Sequence, residues 1–287
     1  MPELATATID RAAAVIARAQ ALLITAGAGL GVDSGLPDFR GNEGFWRAYP
    51  PFRGLGLSFV DLANPEWFDR DPELAWGFYG HRLQLYRATT PHAGFAILAR
   101  WAAAMTHGAF VFTSNVDGQF QKAGFDDARL IECHGSIHHL QCSTPCSDRI
   151  WDAADVALEI DPASFRARPP LPLCPSCGCI ARPNVLMFGD SSWVPDRSNG
   201  QQLRLAGWLG GARGGALVVL ELGAGTAVPT VRMTSERVAR GLGATLVRIN
   251  LREPQAPAGH VGISAGSLEA LSAIDRLLGS EAAGSES

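Results

Sequence analysis

Lysine is almost missing from this 287-residue chain: Lys122 is the only one among 24 Lys and Arg residues. A phosphate-binding lysine of the Walker type and a Schiff-base lysine are therefore excluded anywhere but at that position. Charge of either sign is scarce too, at 18% of residues against about 25% in an average globular chain, while 47% are apolar. Such a composition excludes a disordered polyelectrolyte and a solvated coiled coil, and the length is enough to bury a large core. The formal charge of −4 supplies no electrostatic attraction for a phosphate backbone, so no nucleic-acid partner is expected. No apolar run approaches the 18 or so residues of a membrane span, and the amino terminus has no basic secretory leader. A cytoplasmic monomer without membrane attachment is the expectation. Six cysteines, four of them in two close pairs, suit metal ligation in a reducing compartment better than a disulfide framework.

What is present alternates between strands and helices. Ile9, Ala12, Ala13, Ile16 and Ala17 recur at helical spacing over 9–20, with Thr8 as candidate cap. Short apolar runs at 21–25, 109–113, 216–222 and 245–249 read as buried strands, each after a helical segment. That order predicts an α/β fold: a Rossmann-like, doubly wound parallel sheet with a smaller helical and zinc-binding lobe. Residues 1–37, 91–138 and 183–279 are assigned to the large domain, 38–90 and 139–182 to the small lobe, and 280–287 to a flexible tail.

Gly27-Ala28-Gly29 follows the first strand as a dinucleotide turn does, although the third glycine of the usual fingerprint is replaced by Val32. The continuation, Gly31-Val32-Asp33-Ser34-Gly35-Leu36-Pro37-Asp38-Phe39-Arg40, is more specific. Thr113-Ser114-Asn115-Val116-Asp117 ends the second strand, and Glu132-Cys133-His134-Gly135 lies a short way downstream. Cys142-x3-Cys146 and Cys174-x2-Cys177 are spaced as a four-cysteine zinc ribbon, with Cys179 a competing fourth ligand. Arg182 to Asp190 reads Arg-Pro-Asn-Val-Leu-Met-Phe-Gly-Asp, and Gly223-Ala224-Gly225-Thr226 and Asn250 each end a later strand.

In these ordered motifs, over roughly residues 20–252, the chain resembles the sirtuins of bacterial type, the NAD-dependent protein lysine deacylases. The resemblance implies a two-lobed fold with NAD in the cleft, a structural zinc ion, and acyl-lysine protein or peptide substrates, the products being nicotinamide, free lysine and O-acyl-ADP-ribose. It implies further that Gly27, Ala28, Gly29, Asp38, Phe39, Arg40, Ser114, Asn115, Asp117, Gly223, Gly225, Thr226 and Asn250 contact NAD. His134 would be the general base and Asn115 its partner near the nicotinamide ribose; histidine is the side chain whose ordinary pKa suits proton transfer near neutrality. Val185, Phe188 and Gly189 would line the acyl-lysine tunnel. Gly31 stands where the family usually has Ser, and Ser114 replaces a Gln, which keeps ADP-ribosyl transfer to protein or to water as an alternative reaction. Tyr79 and Arg82, three apart on a helical segment, with Ala63 upstream, resemble the Tyr-x-x-Arg feature of the class that removes succinyl, malonyl and glutaryl groups. The competing reading of Arg82 is a solvated helix residue.

Overall fold

The computed structural model describes residues 6–38, 45–46, 49–54 and 56–284, with side chains to 279. Strand β1 (Ala21–Ala26) is buried at every position, as a central parallel strand must be when helices cover both faces. It lies between β2 (Ala109–Thr113) and β7 (Leu217–Leu222). β3 (Leu130–Glu132) joins beyond β2, and β8 (Thr245–Ile249) and β9 (Val261–Ile263) join beyond β7. All five pairings are parallel, in the spatial order β3-β2-β1-β7-β8-β9. The chain winds outward from β1 in both directions, so the loops after β1 and β7 diverge and open a crevice at the carboxyl edge.

On one face, α1 (Thr6–Ala17), α6 (Ala93–Ala104) and α10 (Ser267–Gly284) bury Ile9, Leu98, Leu271 and Ile274 against Leu22, Ile24, Leu220 and Val247. On the other, α8 (Asp196–Gly211) and α9 (Thr230–Leu242) cover Leu23, Phe110, Val219 and Leu246. One sequence expectation shifts here. The first helix begins at Thr6, so Thr8 lies inside it. The last helix, α10, runs on to Gly284.

A second core lies outside the sheet. The helices α2 (Pro50–Gly54), α3 (Phe59–Leu62), α4 (Trp67–Arg70) and α5 (Pro72–Ala88) pack Phe52, Leu62, Phe68, Trp76 and Phe78 together. The same core takes in Ile137 and Leu140 from β4 (Gly135–Cys142), and Ala181 and Val185 from β6 (Ala181–Val185). With β5 (Trp151–Asp152) these form an antiparallel sheet of order β5-β4-β6, which leaves β6 at an edge. Asp71 caps α5 by accepting from Leu74 N–H, and Pro72 opens the helix where a missing N–H costs nothing. The α7 turn (Gln119–Lys122) sits against the far end of α5: Lys122 Nζ donates to the carbonyls of Arg87 and Thr89 at 2.7 and 2.6 Å, capping the carboxyl end of that helix. The chain's single lysine is thus tied to helix termination.

Buried charge ties β7 to β8. Arg248, 2% exposed, donates to both carboxylate oxygens of Glu221 at 2.5 and 3.0 Å and to Glu236 at 2.8 Å. Removing one member of such a cluster strands the other in a low-dielectric interior. Arg248→Met is expected to lower the unfolding free energy by about 3–5 kcal/mol, read from denaturant midpoints at unchanged m-value; a loss below about 1 kcal/mol would show that the cluster relaxes without its cation.

Candidate active site and metal centre

A cavity of about 800 Å³ runs between the carboxyl edge of the parallel sheet and the second core. Gly27 and Ala28 follow β1, Ser114, Asn115 and Asp117 follow β2, and Gly223, Gly225 and Thr226 follow β7; all of them line it. Asp38 and His134 reach it from their loops, and Ala63, Tyr79, Arg82, Val185 and Phe188 line it from the second core. Gly29, Gly189 and Asn250 do not line it. Phe39 and Arg40 lie outside the described residues.

The floor of this cavity is backbone laid on backbone. A Cβ on Gly29 would stand 2.7 Å from Gly223 Cα, and one on Gly27 would stand 2.8 Å from Ala224 Cα. Gly29 therefore works by letting the two turns touch rather than by facing the cavity. Asn250 acts behind the wall, donating to the Ala224 carbonyl at 2.7 Å and accepting from the N–H groups of Arg252 and Glu253, both at 3.0 Å. The residues it holds, Arg252 and Glu253, line the cavity and were not singled out in the sequence; their place just past the end of β8 was the available signal.

Asn115 donates through Nδ2 to the Gly27 carbonyl at 3.1 Å, while its own N–H is held by Thr113 Oγ1 at 3.0 Å. Its side chain is thus locked across the ends of β1 and β2. His134 occupies the corner between β3 and β4, its carbonyl accepting from Leu186 N–H at 2.9 Å. The residue after it has to be glycine: Gly135 has φ of +78°, and a Cβ there would come within 2.0 Å of the Asn184 carbonyl oxygen. Burial lowers the pKa of His134 below its ordinary value, which keeps the imidazole neutral and able to accept a proton near pH 7. Burial acts oppositely on Asp117, raising it to about 6, with the Gln119 N–H opposing and the charge of Glu132 adding to the rise. Cys133 is pushed up to about 12, chiefly by burial, so it is a thiol and no nucleophile.

The deep end of the cavity overturns the picture of Arg82 as a solvated surface residue. Arg82 is 5% exposed, and its guanidinium carbon lies 5.2 Å from the Phe78 ring centroid and 5.7 Å from that of Phe59. Tyr79 is buried beside it, and its hydroxyl has no hydrogen-bond partner among the described residues. Burial raises the Tyr79 pKa to about 12 against the opposing pull of Arg82, so the group is a neutral O–H donor.

The fit to the groups implied by the sequence can be tested on the donors themselves. Thr226 gives both its N–H (3.2 Å) and its Oγ1–H (2.5 Å) to the Glu253 carboxylate, so the turn after β7 already holds an anionic group. With the glycine-floored crevice, this suits a dinucleotide phosphate. The four sulfur atoms of Cys142, Cys146, Cys174 and Cys177 lie within 4.8 Å of one another, with Cys142–Cys177 and Cys146–Cys174 each at 3.6 Å. Tetrahedral zinc with bonds of about 2.3 Å needs sulfurs about 3.8 Å apart. Cys179 is not in the group; its backbone N–H instead supports the Cys177 sulfur, and those of Ser176 and Cys177 support Cys174.

A parallel sheet in the order β3-β2-β1-β7-β8-β9, a glycine-floored crevice and a four-cysteine cluster define a Rossmann-type α/β class of protein. The comparisons with known proteins name it. Residues 27–200 match the model of the Sir2 family, and the chain belongs to that family. An NAD-dependent protein deacylase of Aeropyrum pernix is 33% identical over 180 residues, which cover 62% of this chain and 63% of that protein, somewhat less than two thirds of its length. One of Thermus thermophilus is 29% identical over 271 residues, 93% of each chain. A Sir2 homologue mutant in complex with ADP ribose superposes with a TM-score of 0.70 at 25% identity, covering 96% of this chain and 98% of the other.

Freshly purified protein is expected to carry one zinc ion per chain by elemental analysis. Cys177→Ser should lose it while Cys179→Ser keeps it; the opposite pattern would reassign the fourth ligand, and protein free of zinc would reject the site.

Proposed function

We propose that this chain is an NAD-dependent protein lysine deacylase acting in the cytoplasm, releasing nicotinamide and O-acyl-ADP-ribose. The observation that carries the reading is the convergence of Asn115, Asp117 and His134 on one cavity with the two glycine turns after β1 and β7. Family membership and the deacylase activity by which the relatives are named support it, and the cysteine tetrad suits a reducing compartment. Bound NAD would supply an electrophilic ribose carbon, with nicotinamide as its leaving group, and the ribose hydroxyl that finally carries the acyl group. Ala28 and Gly225, in the turns after β1 and β7, would offer backbone N–H groups to its phosphates, and Thr226 would do so in exchange for the Glu253 carboxylate it now holds. Asp117, deep in the crevice, accepts from an amide such as the carboxamide of nicotinamide, and Asn115 orders the ribose side of the cavity. His134, neutral and aimed into the cavity from its corner, takes a proton from a hydroxyl group. The zinc site, closed by four sulfurs, braces the small lobe and leaves no open position for water.

The edge of β6 and the following residues, Leu186 to Phe188, offer an extended peptide a place to lie, with Val185 and Phe188 framing the entry for its lysine. The acyl group then points toward Arg82 and Tyr79. A buried guanidinium beside a hydroxyl without a partner suits an acyl chain that ends in a carboxylate, and Ala63 leaves room for its length. Succinyl- or malonyl-lysine is therefore the proposed substrate class.

His134→Ala should lower kcat by about 10²–10⁴-fold with NAD affinity retained in calorimetry; near-native turnover would remove His134 from the reaction. Because burial lowers the His134 pKa, the acid limb of kcat/KM that reports it should lie below about pH 6.5, with activity falling as pH drops and the base becomes protonated. A limb above that value would contradict a neutral, buried imidazole. Arg82→Met should reverse the order of succinyl- and acetyl-lysine peptides, changing their relative efficiency by roughly ten- to a hundred-fold. If it lowers all acyl peptides equally, plain deacetylation is the better reading, and release of free ADP-ribose without any acyl peptide would point to NAD hydrolysis instead.

A further inference from the structure

All three tyrosines of the chain, Tyr49, Tyr79 and Tyr86, lie close enough to Arg82 to interact with its charge. Only Tyr79 was expected from the sequence. Tyr86 makes the more directed contact: its hydroxyl oxygen accepts from Arg82 Nε at 3.1 Å and from Nη2 at 2.9 Å. Its ring lies 5.5 Å from the guanidinium carbon, and both residues line the cavity. The two are four apart on α5, one turn of the same helix face. Tyr86 is itself anchored, 5% exposed, with its carbonyl accepting from Gln119 Nε2 at 3.3 Å, just past Asp117.

We propose that Tyr86 is a specificity-determining positioning residue, whose hydroxyl sets the plane of the Arg82 guanidinium so that it receives the distal carboxylate of the acyl group. This rests on the acidic-acyl reading given above and adds to it a residue outside the Tyr79–Arg82 pair. The argument is geometric. A guanidinium is a rigid planar fork with five N–H donors. Two of them, on adjacent nitrogens, converge on one oxygen of a buried phenol, and that pair of bonds leaves no rotation of the fork about the last bonds of the side chain. A carboxylate would be received on the side of the fork away from Tyr86. Phe59 and Phe78 limit movement out of that plane but do not choose a rotation within it, because ring faces attract a cation without directing its N–H bonds. Tyr86 thus gives Arg82 a directional contact that these rings do not, and a Phe in its place keeps the wall while deleting that direction.

The test compares the native enzyme, Tyr86→Phe, Arg82→Met and the double variant with peptides carrying succinyl-lysine and butyryl-lysine, which have equal carbon count but differ in the terminal carboxylate. Native enzyme should prefer succinyl. Tyr86→Phe should reduce the succinyl-to-butyryl ratio of kcat/KM about tenfold, mainly through a higher KM for the succinyl peptide. In the Arg82→Met background the same substitution should leave the ratio unchanged, since Tyr86 acts through Arg82. Tyr86→Leu serves as the second truncation if the Phe variant folds poorly. A succinyl preference that survives both truncations overturns the role of Tyr86 while the acidic-acyl reading stands. A native enzyme without that preference overturns both, and an equal loss on both peptides reduces Tyr86 to part of the cavity wall.

Discussion

Two turns of bare backbone in contact set the geometry of this molecule. Where Gly27 and Gly29 meet Gly223 and Ala224, the ends of β1 and β7 approach more closely than any side chain permits. The crevice can therefore be deep and yet floored by peptide groups. Asn115 is bound to the Gly27 carbonyl, and Asn250 to the Ala224 carbonyl, so both side chains reinforce the same contact from either side. With a Cβ between them, the turns would separate and the cavity residues that hang from the strand ends would move apart.

The wall facing that floor is held by buried polar bonds rather than by apolar packing alone. Arg182 and Asp190, with side chains fully buried, pair at 2.9 Å; Arg182 also reaches the Val185 carbonyl, and Asp190 accepts from Met187 N–H. The loop that carries Leu186 and Phe188 is thereby folded back onto β6, leaving those two apolar side chains more than a third exposed at the cavity mouth. Breaking such a pair is costly because the surviving charge has no water to turn to. The exposed apolar residues of the cavity mouth are thus kept in place by buried charges behind them.

Burial also sorts the titratable groups of the cleft. It keeps His134 neutral, lifts Asp117 toward neutrality and silences Cys133, while Arg82 stays charged because a guanidinium cannot give up its proton at any accessible pH. One cavity is thus lined both by a neutral imidazole and by a permanent cation.

The alternation of apolar runs with helical periods was enough to read the parallel sheet, because strands buried on both faces can only be apolar throughout. The glycine turns and the four cysteines were legible because each demands a residue type that nothing else supplies, no Cβ in the one and a soft ligand in the other, and His134 stood out by the glycine that follows it. What the sequence left open was decided by packing across distant segments. It could not choose between Cys177 and Cys179, since spacing admits both and only the tetrahedral clustering of sulfurs selects one. It could not tell a buried Arg82 from an exposed one, since Arg82 stands among both the polar His81, Gln84 and Arg87 and the apolar Phe78, Tyr79 and Tyr86, so the pattern admits either. Nor could it show Tyr86 beneath the guanidinium or Glu253 on the Thr226 hydroxyl: the first depends on the rotamers of one crowded helix, the second on a loop from β8 crossing to the end of β7, and both are consequences of tertiary structure alone.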